Sequence, residues 1–224
     1  VSHELKTPLT AIRGYSETLL DENLPPELRR RFAEVVKENA DRLQRIVDDL
    51  LDLSRIESGG WRAEPEEVAV AEAAEEAWAA LEESAAGKGV AFQMHVADGC
   101  DHVRADPSAL RQILTNLLHN ALRHTPAGGE ITVRALCAPD APGRAPGRWV
   151  RVEVEDTGTG IPAAHLPRIF ERFYRVDNAR ARAEGGTGLG LAIVRHLVES
   201  HGGTVEAESE LGRGTTVRFT LPAA

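Results

Sequence analysis

The apolar residues of this chain change their period at Gly59-Gly60, and that change divides what the chain can fold into. Before it, Leu5, Leu9, Ile12 and Leu19, with small Ser16 between, follow the three-then-four spacing of a helix that presents one seam. Residues 21–26 end in two adjacent prolines and break the pattern, which resumes through Leu28, Phe32, Val35, Leu43, Ile46, Leu50 and Leu53. Two helices joined by so short a turn make an antiparallel hairpin, which alone has too little surface to bury both stripes. Dimerisation into a four-helix bundle is the economical solution, and packing against the rest of the same chain is the alternative.

Beyond Gly60 the pattern mixes two periods. Residues 66–70 read as a short strand, 71–86 as a helix rich in Ala and Glu, and 90–96 as an alternating strand. Asp106-Pro107 starts a helix with an N-cap and a proline at its first position, and that helix runs to about His124. Four later segments alternate apolar and polar residues: Ile131 to Ala135, Val150 to Val154, Val205 to Ala207, and Val217 to Leu221. Strands with one apolar face build a sheet whose other face meets water, and the helices cover the apolar side. The expected class is α+β, a helical hairpin followed by an α/β sandwich. Residues 138–148, rich in Pro, Gly and Ala, read as a surface excursion between two strands.

Composition excludes some partners. With 26 basic and 35 acidic side chains the net charge is −9, which argues against a nucleic-acid binder and leaves room for a small phosphate ligand in a basic pocket. Cys100 and Cys137 form no CxxC and no His pair sits at ligand spacing. Neither a disulfide framework nor a zinc site is therefore expected, and a reducing, cytoplasmic compartment fits. No apolar run approaches the roughly 18 residues of a membrane span, and no signal peptide opens the chain, so no membrane contact by this segment is expected.

The helix after Asp106 carries Asn116, Asn120 and Arg123 along one flank of its apolar stripe, at i, i+4 and i+7. Asn is a mediocre helix former, so two of them one turn apart ask for a reason. Carboxamide oxygens are hard ligands suited to Mg2+ beside nucleotide phosphates, although surface Asn residues look the same in sequence. After the strand through Val154 comes Asp156-Thr-Gly-Thr-Gly, and Gly185-Gly-Thr-Gly-Leu-Gly-Leu opens a further helix. Glycines admit close backbone approach, and a helix N-terminus offers N–H groups to phosphate. Neither cluster is a Walker loop or a dinucleotide fingerprint. A carboxylate at Asp156 either accepts a hydrogen bond from the exocyclic amine of a base or caps a turn.

Six segments in order resemble the signature boxes of two-component sensor histidine kinases. They are His3-Glu-Leu-Lys-Thr-Pro, Asn116-Leu-Leu-His-Asn-Ala-Leu-Arg-His-Thr, Asp156-Thr-Gly-Thr-Gly, Phe170-Glu-Arg-Phe-Tyr-Arg, Gly186-Thr-Gly-Leu-Gly-Leu and Gly212-Arg-Gly-Thr. The resemblance implies that residues 1–58 are a dimerisation and histidine-phosphotransfer hairpin. Residues 64–224 are then a catalytic domain of the histidine-kinase, gyrase and chaperone ATPase type. By position it implies Asn120 and Asn116 as Mg2+ ligands, Arg123 and Arg175 at phosphates, and His124 against the nucleotide. Asp156 matches the adenine-reading carboxylate, with Gly158 and Gly160 admitting the base and Thr215 supporting it. Gly186, Gly188 and Gly190 match the glycine box under the phosphates. Residues 163–186 match a lid over ATP, with Phe170 and Phe173 as its aromatic anchors. Arg172, Arg180 and Arg182 in it are read as solvated.

The same resemblance implies His3 as the nucleophile toward ATP, Glu4 as its general base, and Thr7, one turn on, as support for a reverse phosphatase reaction. Pro8 removes a helical hydrogen bond beside that site and is expected to act as a hinge. The partner implied is the receiver domain of a response regulator, with Ile12 and Leu19 as candidate docking positions, and a homodimer through the hairpin. Opening on Val1 inside a helix, the chain reads as the cytoplasmic portion of a larger, membrane-anchored sensor. Two other readings are an ATP-driven conformational machine on the same nucleotide fold and a degenerate kinase acting as an ATP-binding dimeric scaffold. The former lacks the His3 box and the hairpin, and intact boxes argue against the latter.

Overall fold

The computed structural model describes residues 2–21, 23–58, 62–138, 148–176 and 186–224, with the side chains at 2–4, 56 and 57 outside the description. Helices α1 (Ser2–Leu19) and α2 (Pro26–Glu57) form the hairpin. Pro26 fits the first helical position because its missing N–H has no partner there in any helix. The ring of Tyr15 lies 5.2 Å from that of Phe32 and fixes the antiparallel register. Ion pairs at i, i+4, Arg13 with Glu17 and Arg30 with Glu34, lie on exposed side chains. Pro8 is buried, and α1 runs on through it.

The C-terminal part of α2 leans on the rest of the chain: Leu53 belongs to the main core and Leu50 packs against it. Elsewhere Leu9, Leu28, Val47 and Leu51 keep apolar surface in solvent. Ile12 and Leu19, read from sequence as exposed docking positions, are half-buried instead. In an amphipathic pair they serve the seam first.

The sandwich is built from β1 (Glu66–Ala69), α3 (Val70–Ala79), α4 (Glu82–Lys88), β2 (Ala91–Val96), β3 (His102–Ala105) and α5 (Pro107–His124). It continues with β4 (Glu130–Ala138), β5 (Trp149–Asp156), a single 3-10 turn at Leu166–Arg168, α6 (Gly190–Ser200), β6 (Val205–Glu210) and β7 (Gly214–Pro222). The main sheet has the order β2-β4-β5-β7-β6, with β2 parallel to β4 and the other pairs antiparallel. Val133, Val152 and Phe219 from the sheet meet Leu110, Ile113, Ile193 and Leu197 from α5 and α6 in one core. The wet face shows in β5, where half-exposed Arg151 alternates with buried Val150 and Val152. Glu153, also on that strand, is 8% exposed because Arg151 and Arg218 both pair with it.

Three expectations are corrected. The single helix read over 71–86 is two: α3 stops at Ala80, where buried Leu81 turns inward and donates its N–H to the Trp78 carbonyl at 2.7 Å. Strand β3, unread in the sequence, pairs with β1 in a separate two-stranded sheet. The cysteines are joined as Cys100–Cys137, with Cα atoms 5.3 Å apart, within the range a disulfide needs. Cys100 follows β2 and Cys137 ends β4, so sheet pairing brings them together and no local spacing announces it. Most of the surface excursion, 139–147, lies outside the described residues.

Candidate active site

Helix α5 positions the first wall. Asp106 caps it, accepting from the N–H groups of Ser108 and Ala109 at 2.9 and 3.1 Å. Burial opposes the charge of Asp106, but these bonds and those from Ser108 Oγ and Glu64 N outweigh it and hold the carboxyl below its ordinary range. With eight residues of the helix buried against the sheet, Asn116, Asn120 and Arg123 are left on a flank facing a cavity of about 660 Å³.

The strand end of β5 supplies the second wall. Asp156 is 9% exposed, and its Oδ1 accepts from Gly158 N at 2.8 Å. Burial pushes its carboxyl up to about 6, although the Gly158 and Thr215 backbone bonds lower it. Thr215 faces the same cavity from β7, with its hydroxyl 2.9 Å from Ser209 Oγ. A side chain at Gly158 would meet the Asp156 carboxylate and the His124 carbonyl, and one at Gly160 would collide with the Glu210 carbonyl at a φ of 70°. Both glycines are therefore required by the packing of this turn.

The glycine run before α6 closes the third side. A Cβ on Gly190 would lie 3.1 Å from Asn116 Oδ1, and one on Gly186 would strike Arg123, so this run packs directly on the α5 flank. Gly188 has φ 72° and accepts at its carbonyl from Phe173 N at 2.8 Å, while Phe173 itself takes a left-handed φ of 61°. Arg175 packs over Gly188.

The cavity is thus lined by Asn116, Asn120, Arg123, His124, Asp156, Gly160, Arg175, Gly186, Gly188, Gly190 and Thr215, all named from sequence. Gly158 sits just behind it as the donor to Asp156. Phe170 is half-buried away from the lining, and Phe173 packs on the core. Besides Arg175 and Gly186, the lid residues that line the cavity are Ile169, Tyr174 and Val176, the last three not named from sequence. Tyr174 is braced by His165 at 2.5 Å and by Arg168, 4.2 Å above its ring. Arg172 is exposed, as expected; Arg180 and Arg182 lie outside the described residues. Thr7 is exposed on α1 beside a hollow it shares with Lys6, Thr10 and Tyr15. The side chains of His3 and Glu4 lie outside the described ones.

Sequence reasoning missed a contribution from the hairpin: Arg45 and Asp49 of α2 line the same cavity. Asp49 accepts from Thr187 Oγ1 at 2.6 Å, and Asp52 accepts from Gln112 Nε2 at 2.6 Å. Burial first, then neighbouring Asp52 and Asp48, raise the Asp49 carboxyl, against the lowering effects of the Thr187 bond and of Arg45. His119, half-buried on the α5 wall, is pushed down to about 4 by burial and then by the charges of Arg123 and Arg45, so its ring is neutral at pH 7. No single-helix pattern signals Arg45 or Asp49, because their role depends on where α2 docks.

A cleft that joins hard amide oxygens, arginines, a backbone-rich glycine turn and a buried carboxylate suits a purine nucleotide with its phosphates. The comparisons agree. Residues 105–224 match the family described as histidine kinase-, DNA gyrase B- and HSP90-like ATPase, which gives the class of the nucleotide fold. Residues 1–59 match the His Kinase A phospho-acceptor domain.

The chain is similar to the sensor histidine kinase WalK of Bacillus subtilis, 37% identical over 99% of this chain and 35% of that protein. It is also similar to the phosphate regulon sensor protein PhoR of Pseudomonas aeruginosa, 38% identical over 96% of this chain and 47% of that protein. Among solved structures, the histidine kinase ThkA in complex with the response regulator TrrA superposes with a TM-score of 0.77 at 26% identity, covering all of this chain and 60% of that one. Full-length ShkA in complex with AMPPNP gives 0.71 at 30% identity, covering all of this chain and 44% of that one. The chain belongs to the sensor histidine kinases, and it spans less than half the length of these two curated relatives.

Proposed function

We propose that this chain takes the γ-phosphoryl group of ATP onto His3 and passes it to an aspartate on the receiver domain of a response regulator. The supporting observation is the convergence of the α5 asparagines, Asp156 and the glycine run on one cleft whose remaining side is the hairpin. In this reading residues 1–58 carry the phosphoacceptor and residues 64–224 hold the nucleotide. ThkA, with which TrrA is complexed, shares this arrangement of elements.

Asp156 accepts the adenine amine, Gly158 and Gly160 leave room for the base, and Thr215 supports that end. Arg123 and Arg175 face the phosphates, with Gly186, Gly188 and Gly190 presenting backbone to them. Among the described residues no three His, Cys, Asp or Glu side chains gather around one point, so a carboxylate cage is absent there. Asn116 and Asn120, one turn apart on the cleft wall, fit Mg2+, which takes few protein ligands beside phosphates. When bound, Mg2+ supplies neutralisation of phosphate charge.

A neutral imidazole nitrogen of His3 forms the new P–N bond as the bond from the γ-phosphorus to the bridging oxygen breaks, and ADP leaves with that electron pair. The proton on the other ring nitrogen passes to Glu4. In the transfer, a carboxylate oxygen of the receiver aspartate forms a bond to that phosphorus as the P–N bond breaks, and the ring takes back the proton held by Glu4 and is again neutral imidazole. Thr7 supports water in the dephosphorylation of that partner. The exposed Leu9, Val47 and Leu51 of the hairpin supply apolar surface for a second copy. No described helix is long and apolar enough to cross a membrane. With Cys100 and Cys137 bonded, the reading of this segment as the cytoplasmic, signalling portion of a sensor rests on its similarity to sensor kinases and not on its cysteines.

The test is incubation with Mg2+ and γ-labelled ATP beside His3→Ala and Asn120→Ala. Label that survives alkali and is lost in acid, and that both variants lack, is the expected result. Label retained by His3→Ala would overturn the assignment.

A further inference from the structure

We propose that Arg45 of the hairpin is a contact for the nucleotide's polyphosphate tail, so that the tail is held between the two parts of the chain. The inference rests on the nucleotide reading of the cleft and adds a residue to it that lies outside every box named from sequence.

Arg45 lines the same cavity as Asn116, Asn120, Arg123 and Gly186, and its charge acts, with that of Arg123, on His119, the neighbour of Asn120. Its place there is fixed by its own helix: one turn on, Asp49 holds Thr187 of the glycine run at 2.6 Å, and Asp52 holds Gln112 of α5. Among the described residues the hydrogen bond that Arg45 makes is a long one, from Nε to the Asp41 carbonyl at 3.3 Å. Among the described residues its two terminal nitrogens make no hydrogen bond and are left for solvent or ligand. Its charge depresses the proton affinity of both His119 and Asp49, which places it within electrostatic reach of α5 and of the glycine run. His119 stays neutral, and Asp49 is engaged by Thr187. An arginine fork suits phosphate oxygens better than any other side chain.

The hairpin register adds a second line. Counting twelve residues back from Tyr15 and twelve on from Phe32, which face each other, sets His3 of α1 level with Gln44 of α2. Arg45 therefore stands at the height of the phosphoacceptor along the bundle, where the terminal phosphate has to arrive.

The test uses the full chain and measures affinity for ATP and, by competition, for adenosine in wild type, Arg45→Ala and Arg45→Lys. Arg45→Ala is expected to lower ATP affinity about tenfold, the size of one partly solvated charge-assisted contact, and to leave adenosine affinity unchanged. Arg45→Lys should recover part of the loss. Unchanged ATP affinity in Arg45→Ala, with the wild type binding normally, overturns this inference and leaves the nucleotide reading standing. Equal losses for ATP and adenosine overturn it too, because a residue that merely docks α2 would affect both. A wild-type chain that binds no ATP removes both readings together.

Discussion

Helix α2 and helix α5 are both amphipathic, yet they are finished to different degrees. Over 18 residues α5 buries eight side chains, whereas the 32 residues of α2 bury three among those described: Arg42, Ile46 and Leu53. The sandwich closes its core within one chain, and the hairpin does not. A helix pair with exposed Val47 and Leu51 keeps hydrophobic surface in solvent, which a second copy covers in the proposed dimer. The lesson is that the same apolar spacing yields a complete core or an interface depending on what the rest of the chain supplies.

The sharpest way to break that contrast is to truncate one apolar side chain to alanine on each of its two sides. Phe219→Ala, in the fully buried sheet face, should cost about 3–5 kcal/mol in denaturant unfolding. Leu51→Ala should cost less than about 0.5 kcal/mol in the single chain, and should instead weaken self-association in sedimentation. Comparable losses in unfolding would mean that the hairpin is already complete.

A smaller effect separates the two parts by redox state. Reducing the Cys100–Cys137 bond should lower the stability of the sandwich by about 2–4 kcal/mol while the helical signal of the hairpin melts unchanged. An unfolding transition of the sandwich that is insensitive to reductant would exclude a stabilising role for the bond.

The smallest expected effect concerns the nucleotide end of the cleft. Burial raises the Asp156 carboxyl to about 6, so below that pH it loses the charge that, in the proposed function, accepts the adenine amine. ATP affinity should be roughly tenfold lower at pH 5 than at pH 7, and Asp156→Asn should remove that dependence. Stability moves the other way at this group. Its folded value lies above the unfolded 3.8, so its contribution is full below 3.8 and is lost as pH rises through about 6. A fall in binding on acidification therefore cannot be assigned to unfolding driven by Asp156.

Much of this architecture was legible in the sequence, and the misses share a cause. The Asp106-Pro107 start of α5 and the alternation in β4, β5 and β7 are local signals, and the structure follows them. The flank of Asn116, Asn120 and Arg123 was readable because helical periodicity fixes which side chains share a face. Strand β3 was not, since four residues give alternation too little length to register. The break between α3 and α4 depends on Leu81 turning into a core that only the folded sheet provides. The pairing of Cys100 with Cys137 follows from β2 lying beside β4, and the entry of Arg45 and Asp49 into the cleft follows from where α2 docks. Tyr174 displaced Phe170 from the lining for a comparable reason, being held by His165 and Arg168 across the 3-10 turn.

The hydrogen bond from Thr187 to Asp49 ties the glycine run to α2, and reciprocity follows from it. With nucleotide seated on the glycine run as proposed, a displacement of α2 that breaks this bond changes nucleotide affinity by some factor. By linkage, bound nucleotide must change the ease of that displacement by the same factor. Occupancy of the cleft and posture of the hairpin are then two readings of one equilibrium, and bound nucleotide acts on the helix pair as a mechanical load does.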